Sequence, residues 1–438
     1  MAAAAHVNPL TEFLAAAPVA TGEAGRSPVD RILDAVRLHL GMEIAFASRY
    51  VGEGGRFTGR QFTHLSSDLP LPSAPGDIEP VEDGYCWHIL EGRLPELIHN
   101  AQEIPFASGI GITAALPVGC HISVPLRLKD GSVHGSFCCL SRAADHSLTE
   151  RDLKTVRAFA DLAAEQIESE LARDRRIDAI RARIGGVIAD ELLGIVYQPI
   201  HALADGRPCG VESLARFPEV DGAYAPPNEW FAAAEEVGLG TELELLAIKQ
   251  ALAGIAYIPD GLYIAVNLSP QTALSGRLQP LLDAVPAARL VVEVTEHSEV
   301  ADYAALHTAL APLRGRARIA IDDVGAGYSG LRHIVDMKPD LLKLDMGLTR
   351  DIDRDEARHA LAQALVAFAG RIGAEIVAEG IETPEEAATL KALGVRYGQG
   401  WHFSRPMPAV AAQQFLLGAG KEAVAEPAPA IPRRAALR

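Results

Sequence analysis

Glu212, Asn267, Glu293, Glu296, the adjacent pair Asp322-Asp323, Lys343, Glu379, Glu382 and Gln399 each fall within or at the end of a short β-rich run. One buried acid at a strand end reads readily as a satisfied core carboxylate. A whole set converging with an asparagine and a lysine does not. Mutual repulsion would raise the pKa values or unfold the site unless divalent cations neutralised it. All-oxygen donors select hard ions, Mg²⁺ or Mn²⁺, over zinc. Adjacent aspartates at a strand end can serve two ions held about 3.5–4 Å apart, an arrangement suited to phosphodiester hydrolysis. Lys343 can then hydrogen-bond the attacking water or stabilise developing negative charge.

The elements that must position these residues recur with a regular beat. The runs Ile195–Ile200, Gly210–Phe217, Tyr263–Ser269, Leu290–Glu296, Ile319–Gly325, Leu341–Met346, Glu375–Glu382 and Tyr397–Phe403 alternate with helical patterns. Eight strands interleaved with helices predict an α/β fold, a (β/α)8 TIM-like barrel over 190–418. In such a barrel the loops after the strands form the active face, where these polar residues stand.

The motifs themselves sharpen that expectation. Tyr197-Gln198-Pro199-Ile200, Glu212-Ser213-Leu214, Asn267-Leu268-Ser269, Glu293-Val294-Thr295-Glu296, Asp322-Asp323-Val324-Gly325, Lys343-Leu344-Asp345, Glu379-Gly380-Ile381-Glu382 and Gln399-Gly400 occur in order. Together they resemble the EAL-domain cyclic di-GMP phosphodiesterases over about 185–415. The resemblance implies hydrolysis of cyclic di-GMP to linear pGpG on a barrel with two Mg²⁺ or Mn²⁺ ions. Glu212, Asn267, Glu293, Asp322, Asp323 and Glu379 match its metal ligands, with Glu212 and Glu379 also counted as catalytic. Lys343 matches its catalytic lysine. Gln198, Leu214, Arg216, Glu382 and Gln399 match positions on the substrate side or supporting the site, and Glu296 matches the acid that anchors a loop.

Three positions depart from the family pattern. Ser213 replaces an alanine, Val324 a phenylalanine, and Gly330 a second serine. The last two predict a less ordered loop and a basal rate that depends on dimer geometry. A catalytically weak or inactive cyclic di-GMP receptor, signalling through protein partners, is therefore the competing reading. No Gly-Gly-Asp/Glu-Glu-Phe segment occurs, so nothing suggests a cyclase half.

A different composition precedes the barrel. Val29, Ile32, Leu33, Val36 and Leu40 have helical spacing, and a strand follows over Ile44–Tyr50. A second helical pattern covers Tyr85–Glu91, and His121–Leu128 with Val133–Leu140 form a hairpin around Asp130-Gly131. Helix, hairpin, inserted helices, hairpin and closing helix make an α+β sandwich over 26–170. The segments Tyr85-Cys86-Trp87, Val124-Pro125-Leu126 and Gly135–Leu140 resemble a GAF domain, which implies a sensor of a small ligand, light or redox state. Its ligand is left unknown, because the signature of the cyclic-nucleotide-binding members is absent. Cys86 and His88 raise a chromophore, haem or metal attachment. Cys86, Cys138 and Cys139 also read simply as small core residues.

Leu153, Val156, Ala160, Ala163, Ile167 and Leu171, then Ile177, Ile180, Ile184 and Val187, alternate spacings of three and four. They predict a closing helix that continues as a connecting helix over 171–189. It either pairs with a copy of itself, giving a homodimer through barrel and helix, or packs as one amphipathic surface helix broken near Arg173. Residues 1–25 read as a flexible arm and 419–438 as a disordered tail.

With 438 residues and 49% hydrophobic content, two cores are available. A formal net charge of −17 argues against gripping duplex nucleic acid by phosphate neutralisation. Five cysteines without a paired C-x-x-C spacing read as reduced thiols. No Lys or Arg precedes Arg26, so the Ala-rich start lacks the basic region of a signal peptide. The long uncharged stretch that includes Ala107–Leu126 is interrupted by glycines and prolines and predicts no membrane span. The expected location is cytoplasmic.

Overall fold

The computed structural model describes residues 26–53, 56–67, 69, 73–217, 226–283, 285–294, 303–325 and 331–419. The expected arm (1–25), residues 420–438 of the expected tail, Glu296 and Gly330 lie outside the described residues. The chain divides into two units, Met1–Arg176 and Ile177–Arg438.

In the first unit, helix α1 (Pro28–Leu40) starts from a reciprocal cap. Ser27 Oγ accepts the Asp30 amide, and the Asp30 carboxylate accepts the Ser27 amide. Gly41, at φ 65°, ends the helix in the left-handed conformation that side chains disfavour. Strands β1 (Ile44–Glu53), β2 (Arg56–Ser67), β3 (Ile78–Pro80), β4 (Leu97–Ile98), β5 (Cys120–Arg127) and β6 (Val133–Ser141) form an antiparallel sheet. Their order is β3-β2-β1-β6-β5-β4.

The period of two along a strand gives the sheet two different faces. Ala45, Ile122, Val124, Phe137 and Cys139 pack with α1 and with Leu153, Val156 and Ala160 of a helix α3 (Glu150–Ala189). Ile44, Phe46, Cys138 and Leu140 face the other way, against Cys86 on the short helix α2 (Tyr85–Leu90). Helix α3 begins where the Thr149 amide and hydroxyl both donate to Asp152, and it runs unbroken for 40 residues. The unit boundary falls inside it.

In the second unit, eight strands close into a barrel. They are β7 (Gly194–Ala202), β8 (Pro208–Arg216), β9 (Tyr263–Leu268), β10 (Leu290–Val294), β11 (Arg318–Val324), β12 (Leu341–Leu344), β13 (Glu375–Ala378) and β14 (Tyr397–Gly398). Neighbours from β8 to β14 pair in parallel, and β14 pairs with β7 to close the ring. Helices such as α4 (Pro227–Glu236), α5 (Gly240–Ala253) and α6 (Glu356–Ile372) cover the outside.

The expected α/β barrel is therefore present, with one difference from regular alternation. Strand β7 runs antiparallel to both β8 and β14. The connection from β7 to β8 is a tight turn through Asp205 and Gly206 (φ 72°), too short for the crossover that parallel neighbours need. A further short strand, β15 (Met407–Pro408), caps the outer edge of β7. Among the described residues no helix is long and apolar enough to cross a membrane.

Candidate active site

The barrel interior is built in layers, and the register explains why the polar residues meet. Ile200, Tyr263, Ala265, Val291, Ala320, Leu341 and Val377 form one apolar cluster inside the ring. Two residues beyond Ala265, Val291, Ala320, Leu341 and Val377 stand Asn267, Glu293, Asp322, Lys343 and Glu379, on the same face of each strand. Antiparallel β7 supplies Gln198 two residues before Ile200, level with Glu212 in the β7–β8 register. Glu293 is likewise level with Asn267. The polar layer thus rests on an apolar floor. Gly210, two residues before Glu212, leaves room for the floor's largest member, since a Cβ there would lie 2.6 Å from the Tyr263 ring.

Adjacent aspartates in a regular strand would face opposite sides. Here the β11–β12 register shifts between Ile321 and Val324, and Asp323 adopts φ 56°. That left-handed turn, which aspartate tolerates better than most residues, returns the second carboxylate to the site. One carboxylate oxygen each from Asp322, Asp323 and Glu379 lies within 4.8 Å of the others. Glu379 is set by its own backbone: its amide donates to the Leu344 carbonyl at 3.1 Å, and its carbonyl accepts from the Thr349 hydroxyl.

Lys343 stands in the middle, only 1% exposed. Its Nζ is 2.6 Å from Glu379 Oε1, 2.8 Å from Glu293 Oε2, 3.0 Å from Asp322 Oδ1 and 3.5 Å from Glu212 Oε1. Burial disfavours its charge, but the facing carboxylates outweigh burial and hold the ammonium well above its ordinary pKa. Burial also pushes Glu293 well above the carboxylate range, reinforced by Glu212 and Asp322 and opposed by Lys343. For Glu379, burial raises the pKa to about 8 in spite of Lys343.

Four acids within 3.5 Å of one ammonium outnumber it by three when all are ionised, a surplus that bound cations would offset. Oxygen donors in charge excess fit hard divalent cations.

A chain of amides holds Glu212. Gln399 Nε2 donates to Glu212 Oε2 at 2.6 Å and to Gln198 Oε1 at 3.0 Å, and Gln198 Nε2 donates to the Ser404 carbonyl at 3.2 Å. Asn267 Nδ2 reaches Glu212 Oε1 at 3.4 Å. Gln198, Asn267, Glu212, Glu293, Asp322, Lys343, Glu379 and Gln399 are therefore brought together, with Asp323 beside them. Leu214 lines a cavity of about 450 Å³ together with Asn267, Phe231 and Ile248. Arg216 is half-buried at the end of β8, where its Nη1 donates to the Ala215 carbonyl. Glu382 is exposed and pairs with Arg350.

Of the departures, Ser213 faces away from the site, and its buried hydroxyl donates to the Ala265 carbonyl at 2.6 Å. Val324 is not a loop residue: it ends β11, is buried, and pairs in register with Leu344. The loop expected to slacken spans 326–330, outside the described residues.

Comparison with known proteins agrees with this geometry. A family model described as the EAL domain matches residues 181–406, and one described as the GAF domain matches 29–168. The chain is 32% identical over 251 residues to the probable cyclic di-GMP phosphodiesterase PdeB of Escherichia coli K12, covering 53% of this chain and 46% of that protein. It is 30% identical over 345 residues to the cyclic di-GMP phosphodiesterase NbdA of Pseudomonas aeruginosa, covering 75% of this chain and 42% of that protein. The chain thus spans less than half the length of these curated relatives. Among solved structures, the EAL enzyme Bd1971 in its cAMP- and cyclic-di-GMP-bound form shares the fold. Its TM-score is 0.53 and its identity 19%, over 86% of this chain and 95% of that one.

Proposed function

Because the chain belongs to the EAL domain family, we propose that its barrel hydrolyses one phosphodiester bond of cyclic di-GMP to give linear pGpG. The observation that carries this reading is the charge imbalance of the polar layer. Its acids outnumber the one ammonium they surround, which supports bound divalent cations. The relatives named as cyclic di-GMP phosphodiesterases support the choice of substrate.

Glu212, Asn267, Glu293, Asp322, Asp323 and Glu379 would hold two ions, Mg²⁺ or Mn²⁺. When bound, the ions supply charge neutralisation at the phosphate and acidify water to a nucleophile. The chain's own groups do the rest. Lys343 offers N–H donors to the nucleophilic water and to the developing negative charge. Gln399 and Gln198 fix the orientation of Glu212. Arg216, at the rim, suits a phosphate oxygen, whereas Leu214 and Glu382 bound the substrate side and Glu296 anchors the loop after Asp323. The N-terminal GAF unit regulates the barrel, and the protein works in the cytoplasm as a homodimer, supported by the apolar spacing along α3.

Incubation with cyclic di-GMP and Mn²⁺ or Mg²⁺, followed by chromatography, should yield pGpG, and a chelator should stop it. Glu212→Ala should lower turnover by about 10³-fold, the order seen when a group stabilising a transition state is removed. Normal turnover in Glu212→Ala would refute the site. Tight binding without cleavage by the unaltered chain would establish the receptor reading instead.

A further inference from the structure

On the face of the first unit's sheet that meets α2, three soft donors converge from three elements. Cys86 comes from α2, His121 from β5 and Cys138 from β6. One donor atom of each lies within 4.8 Å of the others, and all three residues are buried. The two sulfurs are 2.8 Å apart. His88, which the sequence pairs with Cys86, points elsewhere: its Nε2 meets the Glu82 carbonyl at 2.9 Å and its ring packs edge-on against Phe106.

We propose that Cys86, Cys138 and His121 bind one zinc-class transition-metal ion, with its fourth position open to the adjoining cavity. Two sulfurs and one imidazole form the donor set that such ions select, and an oxygen-binding ion would not choose it.

Three further observations support the assignment. His121 Nδ1 is buried and has no hydrogen-bond partner, although buried ring nitrogens are normally satisfied. Each sulfur already has a donor, as outer groups provide around metal-bound thiolates. Arg60 Nη1 lies 3.6 Å from Cys86 Sγ, and Ser123 Oγ lies 3.1 Å from Cys138 Sγ. Arg60 does not leave surplus positive charge there, because Nη2 pairs with Glu79 at 2.7 Å. Finally, a cavity of about 50 Å³ is lined by Cys86, His121, Arg60, Tyr85 and Phe46. That space suffices for water or another small ligand on the ion's open position.

With Cys86 and Cys138 both bound as thiolates, their two negative charges balance one dication and the cluster is neutral. The barrel's acids, by contrast, hold only oxygen donors besides Lys343 and the amides. The two sites therefore differ in what cobalt(II) would report.

The test uses the full chain, reduced and stripped with chelator. Cobalt(II) should produce a thiolate-to-cobalt charge-transfer band in the near ultraviolet, which oxygen ligands do not give. Cys86→Ser and Cys138→Ser should each abolish it. Cys139→Ser, the next residue on β6 and facing the opposite side of the sheet, should retain it. X-ray absorption on the unaltered chain with one equivalent of zinc does not depend on a variant folding. It should find two sulfurs at about 2.3 Å and a nitrogen at about 2.0–2.1 Å. A shell of oxygen and nitrogen alone, or a cobalt band that survives loss of both cysteines, would overturn the proposal.

Discussion

The barrel and the first unit each bury a polar cluster, and the two announce themselves in opposite ways. In the barrel the clue is charge, because carboxylates from β8, β10, β11 and the end of β13 crowd one lysine and outnumber it when ionised. In the first unit Cys86 and Cys138 as thiols and His121 as a neutral imidazole would carry no charge, and the clue is an unpaired ring nitrogen. A charged cluster must be balanced for the fold to survive. A neutral one can persist as ordinary core. The contrast teaches that the barrel's site bears on stability as well as chemistry, and this can be broken experimentally.

The largest expected effect follows from removing Lys343, the cation that contacts the acids among the described residues. In chelator, Lys343→Met should destabilise the protein by about 3–5 kcal/mol, since breaking a buried pair leaves uncompensated charge. Saturating Mn²⁺ should recover a large part of that loss, because ions then supply the missing charge. Denaturant melts with and without the ion check this. An equal loss in both conditions would mean that the acids do not need balancing, and the distinction between the two clusters would fail.

A smaller effect concerns pH. Burial raises Glu379 from its ordinary 4.5 to about 8. Between those values the folded, ion-free protein keeps a proton that the unfolded chain has lost. The associated stability is thus fully present below the unfolded value and is lost as pH rises through about 8. Melts in chelator should show this decline, and Glu379→Gln should flatten it. With Mn²⁺ saturating, the trend should reverse, because the ion displaces the proton. A decline equally steep with the ion bound would argue that Glu379 does not face it.

How far the sequence could be read follows from the same contrast. Barrel residues reach the site through a repeated device, a polar side chain two positions beyond an apolar one on successive strands, so Glu212, Asn267, Glu293, Asp322, Lys343 and Glu379 were legible by position. The reversed direction of β7 was not, because a strand's apolar pattern is the same in either direction; only the short Asp205-Gly206 turn hinted at it. The roles of Gln198 and Gln399 in holding Glu212 depend on side-chain reach across the closing seam of the ring. In the first unit the sequence allows Cys86, Cys138 and Cys139 as buried core residues, and all three are buried. His88 is close in sequence and lies on the same short helix, whereas His121 comes from a strand whose alternation turns it, with Ser123, toward Cys138. Arg60, which reaches Cys86 from β2, gave no local signal.

The smallest effect separates two neighbours on one strand. Glu212 points into the ring, whereas Ser213, one residue on, points out and spends its hydroxyl on the Ala265 carbonyl at 2.6 Å. Alternation along β8 therefore makes the family departure at Ser213 a matter of packing between β8 and β9. Ser213→Ala removes one neutral hydrogen bond, so stability should drop by about 0.5–1.5 kcal/mol. Turnover of cyclic di-GMP should stay within about twofold of the unaltered chain, because the inward layer, with its Gln399–Glu212 contact, is untouched. Parallel melts and rate measurements read both quantities. A loss of turnover comparable to that of Glu212→Ala would show that the outward face of β8 feeds into the acid layer, so that the site extends through the barrel wall.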